Sequence, residues 1–268
     1  MRRAPLLLAV DIGNTNTVAG VFSGEELVAR WRIATSAQRM ADEYAALALS
    51  LFALAGLRVD ALDGVIVASV VPAARAAVAE ATRQHAGIEP MVVAPPLKLG
   101  IEVRYTPPSG VGADRIANAV AAIQRYGRPA IVVDFGTGTN FDVVDAAGRY
   151  IGGAIAPGIE ISVGALVAST SLLPQVPLVA PEFAVGQSTV AALQSGIIFG
   201  YAGLVDGLVG RISDELEGAP VVIATGGLAS VVAPHTRSVQ QVDVDLTLHG
   251  LALIYRNNQS ADADSSTS

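Results

Sequence analysis

The sequence predicts an α/β protein made of two duplicated halves, and three observations carry that prediction. Two Gly-containing segments share one grammar: Asp11-Ile12-Gly13-Asn14-Thr15-Asn16-Thr17 and Asp134-Phe135-Gly136-Thr137-Gly138-Thr139-Asn140. Each lies between two β-type runs, and the order of elements after the first is repeated after the second. The composition agrees: hydrophobic residues make up 51% of the 268, yet only 5% are aromatic. An apolar stock of Ala, Val, Leu and Ile suits helices packed on sheets of β-branched strands. At roughly 150 residues per domain, the length accommodates two domains.

The first half opens with the apolar run Leu6–Val10, then the Asp11 segment, a second strand at Val18–Phe22, a Ser23-Gly24-Glu25 turn and a third strand near Leu27–Ile33. That is the pattern of a β-meander. Ala41–Leu57 follows as a helix, with Asp42 and Glu43 in its first turn and Gly56 near its end. Gly64–Val71 is a buried strand, Ala73–His85 a helix opened by Pro72, and Pro90–Val93 a short strand. An Ala-rich helix covers Ile116–Tyr126. The second half begins with the strand Ala130–Val133, the Asp134 segment, a strand at Phe141–Val144, an Ala146-Ala147-Gly148 turn and a third strand at Tyr150–Ile155. Helices are expected at Ile159–Val167 and Val190–Arg211. A strand at Pro220–Thr225, a Gly226-Gly227 turn and a last helix at Leu246–Tyr255 complete the half. Residues 257–268, polar and rich in Ser and Asp, read as a disordered tail. The domain boundaries expected from this order are 1–127 and 128–256.

Composition also removes whole classes of function. With no cysteine, there are no disulfides, thiolate metal sites or Cys nucleophiles. A net charge of −7 argues against nucleic-acid binding, which needs a basic face. The three histidines, His85, His235 and His249, lack metal-motif spacing. Met1-Arg2-Arg3 has the basic character of a signal-peptide start, but the apolar run behind it stops at Asp11. It is too short for a signal peptide or a span, so a cytoplasmic protein with no membrane partner is expected. Lys98 is the only lysine. A Walker A loop and a protein-kinase strand each require a lysine beside the phosphates, and the Pro95-Pro96-Leu97-Lys98-Leu99-Gly100 context supplies neither.

The two hairpins offer another way to hold phosphate. Glycine lets backbone N–H groups approach an anion, and Thr and Asn add side-chain donors. The aspartates can hold a cation directly or through water. Facing one another across a cleft, two such hairpins would clamp a triphosphate without lysine.

The duplicated pattern resembles the acetate kinase/sugar kinase/Hsp70/actin superfamily, with two RNase H-like domains facing across an interdomain nucleotide cleft. Within it, the sequence is similar to the type III pantothenate kinases. The matching blocks are Asp11–Thr17, Thr35 with Ala41-Asp42-Glu43-Tyr44, Ser69-Val70-Val71-Pro72, Gly112-Ala113-Asp114-Arg115 and the Asp134 hairpin. Gly152-Gly153 through Pro157-Gly158, Gly196-Ile197 to Gly200, and Thr225-Gly226-Gly227-Leu228-Ala229 continue the match, which runs from about residue 6 to 257.

The resemblance implies transfer of the ATP γ-phosphoryl group to pantothenate, the first step of coenzyme A biosynthesis. It implies Asp114 as general base, and ATP contacts from Asp11, Ile12, Gly13, Asn14, Thr15, Asn16, Thr17, Val18 and Thr137. Tyr105, Gly112, Ala113, Asp114, Arg115 and Thr189 match substrate-contacting positions. Asp134 matches the site of a monovalent cation, K⁺ or NH₄⁺, and Asp11 can serve Mg²⁺ through water. The family's substrate site is completed in a homodimer. Plainer readings stand beside these roles. Asp114 could cap the helix behind it, Tyr105 could pack beside Pro107-Pro108, Thr189 could cap the helix from Val190, and Thr225-Gly226-Gly227 could be an ordinary turn. The second hairpin departs from the family at Gly138, where Ala is expected, and at Asn140, where Thr is frequent. Other functional readings are a regulatory relative that binds nucleotide without turnover, and another small-acid or sugar kinase of the superfamily.

Overall fold

In the computed structural model, residues 4–94 and 97–265 are described, with side chains described as far as residue 259. Met1-Arg2-Arg3, Pro95-Pro96 and residues 266–268, on which some expectations above fall, lie outside the described residues. The chain forms two compact units.

The first unit takes the described residues within 1–100, 109–120 and 247–268. Its sheet contains β1 (Leu6–Ile12), β2 (Asn16–Ser23), β3 (Glu26–Ala34), β4 (Gly64–Ser69) and β5 (Met91–Val92), in the order β3-β2-β1-β4-β5. The first three strands form an antiparallel meander, whereas β4 joins β1 in parallel. Central β1 is apolar along Leu6–Val10 and buried there, as a strand covered on both faces must be. One face carries α1 (Ala41–Leu54) and α2 (Pro72–Ala86), which close a core around Val10, Ile12, Tyr44, Phe52 and Val67. At the start of α1 the Met40 N–H donates to the Glu43 carboxylate at 2.8 Å. Gly56, at φ +69°, turns the chain after α1, so the helix stops short of Leu57. Pro72 opens α2 and Gly87, at φ +66°, closes it.

Two later helices complete this unit. α3 (Ala113–Arg125) contributes its first turns. α7 (Leu246–Ser265) buries Leu248, Leu251, Ala252 and Ile254. It passes so close to the sheet that a Cβ on Gly20 would lie 2.8 Å from Leu248 Cδ1, and one on Gly64 1.9 Å from Tyr255 Oη. Phe22 and His249 meet edge to face at 5.4 Å. The α3–α7 crossing is equally tight, since a Cβ on Gly250 would lie 1.9 Å from the Ala117 carbonyl oxygen. The last helix thus belongs to the first unit, and the contact units differ from a single cut after residue 127. The expected disordered tail is corrected over 257–259. These residues continue α7, and Asn258 accepts from the Lys98 N–H at 2.9 Å and donates to its carbonyl at 3.0 Å.

The second unit takes 101–108 and 121–246. Its strands are β6 (Glu102–Val103), β7 (Ala130–Phe135), β8 (Gly138–Val144), β9 (Arg149–Pro157), β10 (Val221–Thr225) and β11 (Gln241–Val242), in the order β11-β10-β7-β8-β9-β6. Apart from the extra edge strand β6, this repeats the first sheet: a three-strand meander, then a parallel strand on the other side of its first member. The short β6 and β11 had no clear alternation in the sequence. α4 (Ile159–Ala168), α5 (Thr189–Asp214) and the short α6 (Ala229–Val232) belong to this unit. Among the described residues, α5 alone is long and apolar enough to cross a bilayer by length and composition. Its Ile197, Ile198, Ala202, Val205 and Val209 instead bury in the core with Ile131, Val133 and Phe141, as in the central helix of a globular unit.

Candidate active site

In the first unit, Asp11 is the next-to-last residue of the central strand, opposite Val18, and Ile12 pairs with Thr17 across the hairpin. The turn closes through the Gly13 N–H, which donates to the Asn16 carbonyl at 3.0 Å. A Cβ on Gly13 would stand 3.1 Å from that oxygen, so glycine allows the tight closure. Asn14 and Thr15 are exposed at the tip, while Asp11, Gly13, Asn16 and Val18 are partly exposed. Ile12 and Thr17 are buried. Ile12 therefore can offer a ligand only its backbone. The Thr17 and Thr35 hydroxyls share a 2.8 Å hydrogen bond, and the Thr35 N–H donates to the Thr15 carbonyl at 3.0 Å. Thr17 thus braces the hairpin against the end of β3. On the other side, parallel register sets Ile12 beside Ser69, and the Val70 N–H donates to the Ile12 carbonyl at 3.1 Å. The hairpin therefore stands at the carboxyl ends of the parallel pair β1 and β4, the usual place for ligands on open α/β sheets.

The same unit holds Gly112-Ala113-Asp114-Arg115. The helix begins at Ala113, and the Ile116 N–H donates to the Gly112 carbonyl at 3.1 Å. Asp114 is therefore inside the first turn and is not its cap. Its Oδ1 accepts from the Arg115 N–H at 2.9 Å. The carboxylate lies back over Gly112, where a Cβ would come within 2.3 Å of Oδ1. Glycine at 112 thus leaves the space that this carboxylate occupies. Asp114 remains partly exposed, whereas Arg115 is buried at 8% exposure.

The second unit repeats the hairpin. Asp134 pairs with Asn140 and Phe135 with Thr139, and the Gly136 N–H donates to the Gly138 carbonyl at 3.0 Å. Gly136 and Thr137 are exposed at the tip. Thr139 takes the part played by Thr17, since it is buried and its hydroxyl donates to the Pro157 carbonyl at the end of β9 at 3.2 Å. Gly158 presses on the tip, because a Cβ there would stand 2.1 Å from the Thr137 carbonyl oxygen. Beside Asp134, parallel β10 ends at Thr225, and Gly226 turns away with φ +90°. A Cβ on Gly226 would lie 2.4 Å from Asp134 Oδ1 and 2.7 Å from the Phe135 backbone. Close approach and positive φ together require glycine there. At Gly138 no such demand exists: a Cβ would find Asn140 Oδ1 at 3.3 Å and the Ala156 carbonyl at 3.4 Å, so alanine fits after a slight shift.

Tyr105 follows edge strand β6 and packs against β9, its ring 6.4 Å from that of Tyr150 at 61°. Thr189 begins α5 and is exposed, but Ser188 is the cap, its Oγ accepting from the Ala191 N–H at 3.2 Å. Capping therefore does not account for Thr189. Asp11 and Gly112–Arg115 thus belong to the first unit, and Asp134, Thr137, Tyr105 and Thr189 to the second. Among the described residues no group of three His, Cys, Asp or Glu side chains could hold a metal. The single carboxylates Asp11 and Asp134 fit cations that take their remaining ligands from water and bound phosphate, the usual coordination of Mg²⁺ beside nucleotides. The bracing threonines were not marked as such by the sequence. Each Thr lies inside a hairpin segment that the sequence shows, but its partner, Thr35 for Thr17 and the Pro157 carbonyl for Thr139, lies 18 residues further on.

Solved structures match this fold over nearly all of the chain. Component A of (R)-2-hydroxyglutaryl-CoA dehydratase from Acidaminococcus fermentans is 14% identical with a TM-score of 0.58, covering 96% of this chain and 99% of that one. An inorganic polyphosphate/ATP-glucomannokinase from Arthrobacter sp. strain KM is 17% identical with a TM-score of 0.50, covering 94% and 99%. The fold is the duplicated RNase H-like architecture, and the relatives matched by sequence place the chain in the class of kinases built on it. The family model described as type III pantothenate kinase matches residues 7–211. A type III pantothenate kinase of Syntrophus aciditrophicus (strain SB) is 48% identical over 253 residues, 94% of this chain and all of the relative. The chain belongs to the type III pantothenate kinase family.

Proposed function

We propose that this chain transfers the γ-phosphoryl group of ATP to the primary hydroxyl of pantothenate, giving 4′-phosphopantothenate and ADP, the first step of coenzyme A biosynthesis. The observation that carries the reading at residue level is the start of α3, where Asp114 and Arg115 stand side by side. Asp114, held over Gly112, orients the pantothenate hydroxyl and accepts its proton as the oxygen attacks phosphorus and the bond to ADP breaks. Such transfers depend chiefly on positioning and charge stabilisation, so one well-placed carboxylate suffices. Arg115 binds the substrate carboxylate, a pairing suited to a guanidinium fork. Ala113 and Gly112 line the same turn, and Tyr105 and Thr189 contact pantothenate.

The tip of the first hairpin, Gly13 to Asn16, holds ATP phosphates with backbone N–H groups and with the side chains of Asn14, Thr15 and Asn16. Asp11, Ile12, Thr17 and Val18 support that grip, and Thr137 supplies a contact from the second hairpin. Asp11 would hold Mg²⁺ through water and Asp134 a monovalent cation, K⁺ or NH₄⁺. Those ions supply the positive charge that an enzyme with one lysine lacks beside a triphosphate. The working protein is a cytoplasmic homodimer.

A coupled ADP-release assay with pantothenate, acetate and sugars, each with and without K⁺, tests the reading. Turnover is expected with pantothenate alone and should increase with K⁺. Absence of pantothenate-dependent turnover would reject it.

A further inference from the structure

A fully buried hydroxyl–carboxylate pair lies behind the tyrosine assigned to pantothenate. The Tyr150 hydroxyl on β9 donates to Asp142 Oδ1 on β8 at 3.0 Å, and both residues are 0% exposed. A carboxylate in an apolar sheet core carries a large desolvation cost unless it is hydrogen-bonded. Packing alone would be met by an apolar pair in that space, so the polar pair calls for another explanation.

Its surroundings point in one direction. The Tyr150 carbonyl accepts from the Arg104 N–H at 2.8 Å, one residue before Tyr105. β6 runs parallel to β9 with Glu102 beside Arg149 and Val103 beside Tyr150. The Tyr150 ring then meets the Tyr105 ring edge to face at 6.4 Å, within the range of a favourable aromatic contact. Gly152 forms the floor: a Cβ there would be 3.7 and 3.8 Å from Tyr105 Cδ2 and Cε2. The β8–β9 register shifts between Val143 and Val144, and Gly152 sits beside that irregularity at φ +123°. Such bulges re-aim side chains. Tyr105 is thus located by β9 through the Arg104 N–H bond one residue before it, its ring contact with Tyr150 and its approach to Gly152, and Tyr150 takes part in two of the three.

We infer that Tyr150 and Asp142 are positioning residues for substrate: the buried hydrogen bond fixes the Tyr150 ring, which sets the Tyr105 side chain for pantothenate. This rests on the proposed reading of Tyr105 as a pantothenate contact. Neither buried residue touches substrate, and their effect on it passes through Tyr105. A misplaced binding side chain weakens substrate capture more than it alters nucleotide capture.

The test is steady-state kinetics of the full chain for the wild type, Tyr150→Phe, Asp142→Asn, Tyr105→Ala and the double variant Tyr105→Ala/Tyr150→Phe, with melting temperature recorded for each. Tyr150→Phe should raise KM for pantothenate about tenfold while KM for ATP changes less than about twofold. Asp142→Asn, which keeps an acceptor for the hydroxyl, should give a smaller change in the same direction. In the Tyr105→Ala background, Tyr150→Phe should add nothing to the pantothenate KM, as expected of residues acting in series. If Tyr105→Ala raises the pantothenate KM but Tyr150→Phe leaves it unchanged, raises both KM values alike, or acts additively with Tyr105→Ala, the pair is structural and the inference is overturned. If Tyr105→Ala itself leaves the pantothenate KM unchanged, the Tyr105 assignment fails and the inference fails with it. If the wild type does not turn over pantothenate, the functional reading is what has failed. Should Tyr150→Phe not fold, the Asp142→Asn comparison decides by the same split between the two substrates.

Discussion

At the scale of single residues, glycines determine where the carboxylates stand. Gly112 leaves room for the Asp114 carboxylate, and Gly226 does the same for Asp134 with a backbone that only glycine adopts comfortably. Gly226→Ala would set a methyl group against Asp134 Oδ1 and the Phe135 backbone. The expected result is a loss of about 1–3 kcal/mol in stability from backbone strain and displacement. A several-fold higher K⁺ concentration should also be needed for half-maximal rate. Denaturant titration and rate against K⁺ concentration measure the two effects, and an unchanged K⁺ curve would remove Asp134 from the cation site. These two glycines were visible in the sequence only as members of motifs. Their purpose is a distance to a carboxylate, Asp114 two residues away from Gly112 but Asp134 ninety-two away from Gly226, and no local pattern encodes the longer relation.

At the scale of elements, the meanders and their hairpins were readable because strands, turns and glycines alternate clearly along residues 6–33 and 130–155. The turn after β8 shows how one is fixed. Asp145 accepts from the Arg149 N–H at 2.9 Å and from its Nε at 2.7 Å, while its carbonyl accepts from the Gly148 N–H at 2.9 Å. Burial alone would raise the Asp145 pKa, but the bonds from Arg149 and the loop hold it below the ordinary carboxylate value. A folded-state pKa below the unfolded one means stability that is present above the unfolded value, near 4, and lost as pH falls through the folded one. Asp145→Asn should therefore flatten the loss of stability in that acidic window while lowering stability at neutral pH. Denaturant midpoints from pH 2 to 7 would show it, and an acid limb identical to wild type would contradict it. Less readable were β6 and β11, two residues each, whose pairing depends on neighbours far along the chain. Capping, the plainer alternative for Thr189, falls to Ser188 instead: the two residues are equivalent by composition, and only Ser188 accepts from Ala191.

At the scale of the whole molecule, the duplication announced by the two Asp-x-Gly segments is a duplication of sheet topology, with β3-β2-β1-β4-β5 matched by β9-β8-β7-β10-β11. What the sequence order could not convey is which unit the final helix joins. Leu248, Leu251 and Ile254 announce a buried helix face, but Gly20 and Gly64, far upstream, provide the space into which α7 packs. The polar composition after residue 257 likewise concealed a helix that continues, with Asn258 tied to Lys98. The two hairpins, Gly112–Arg115 and a chain with one lysine are the features behind the proposal that this kinase holds phosphate with backbone and cations and activates substrate with one carboxylate.

The most direct test of that account is to follow formation of 4′-phosphopantothenate from ATP and pantothenate by mass spectrometry, for wild type and Asp114→Asn side by side, with nucleotide binding measured on both. The wild type should form product, and the variant should bind nucleotide as before while its turnover falls by about 10²-fold or more. No product from the folded wild type, or a variant that turns over at the wild-type rate, would contradict it.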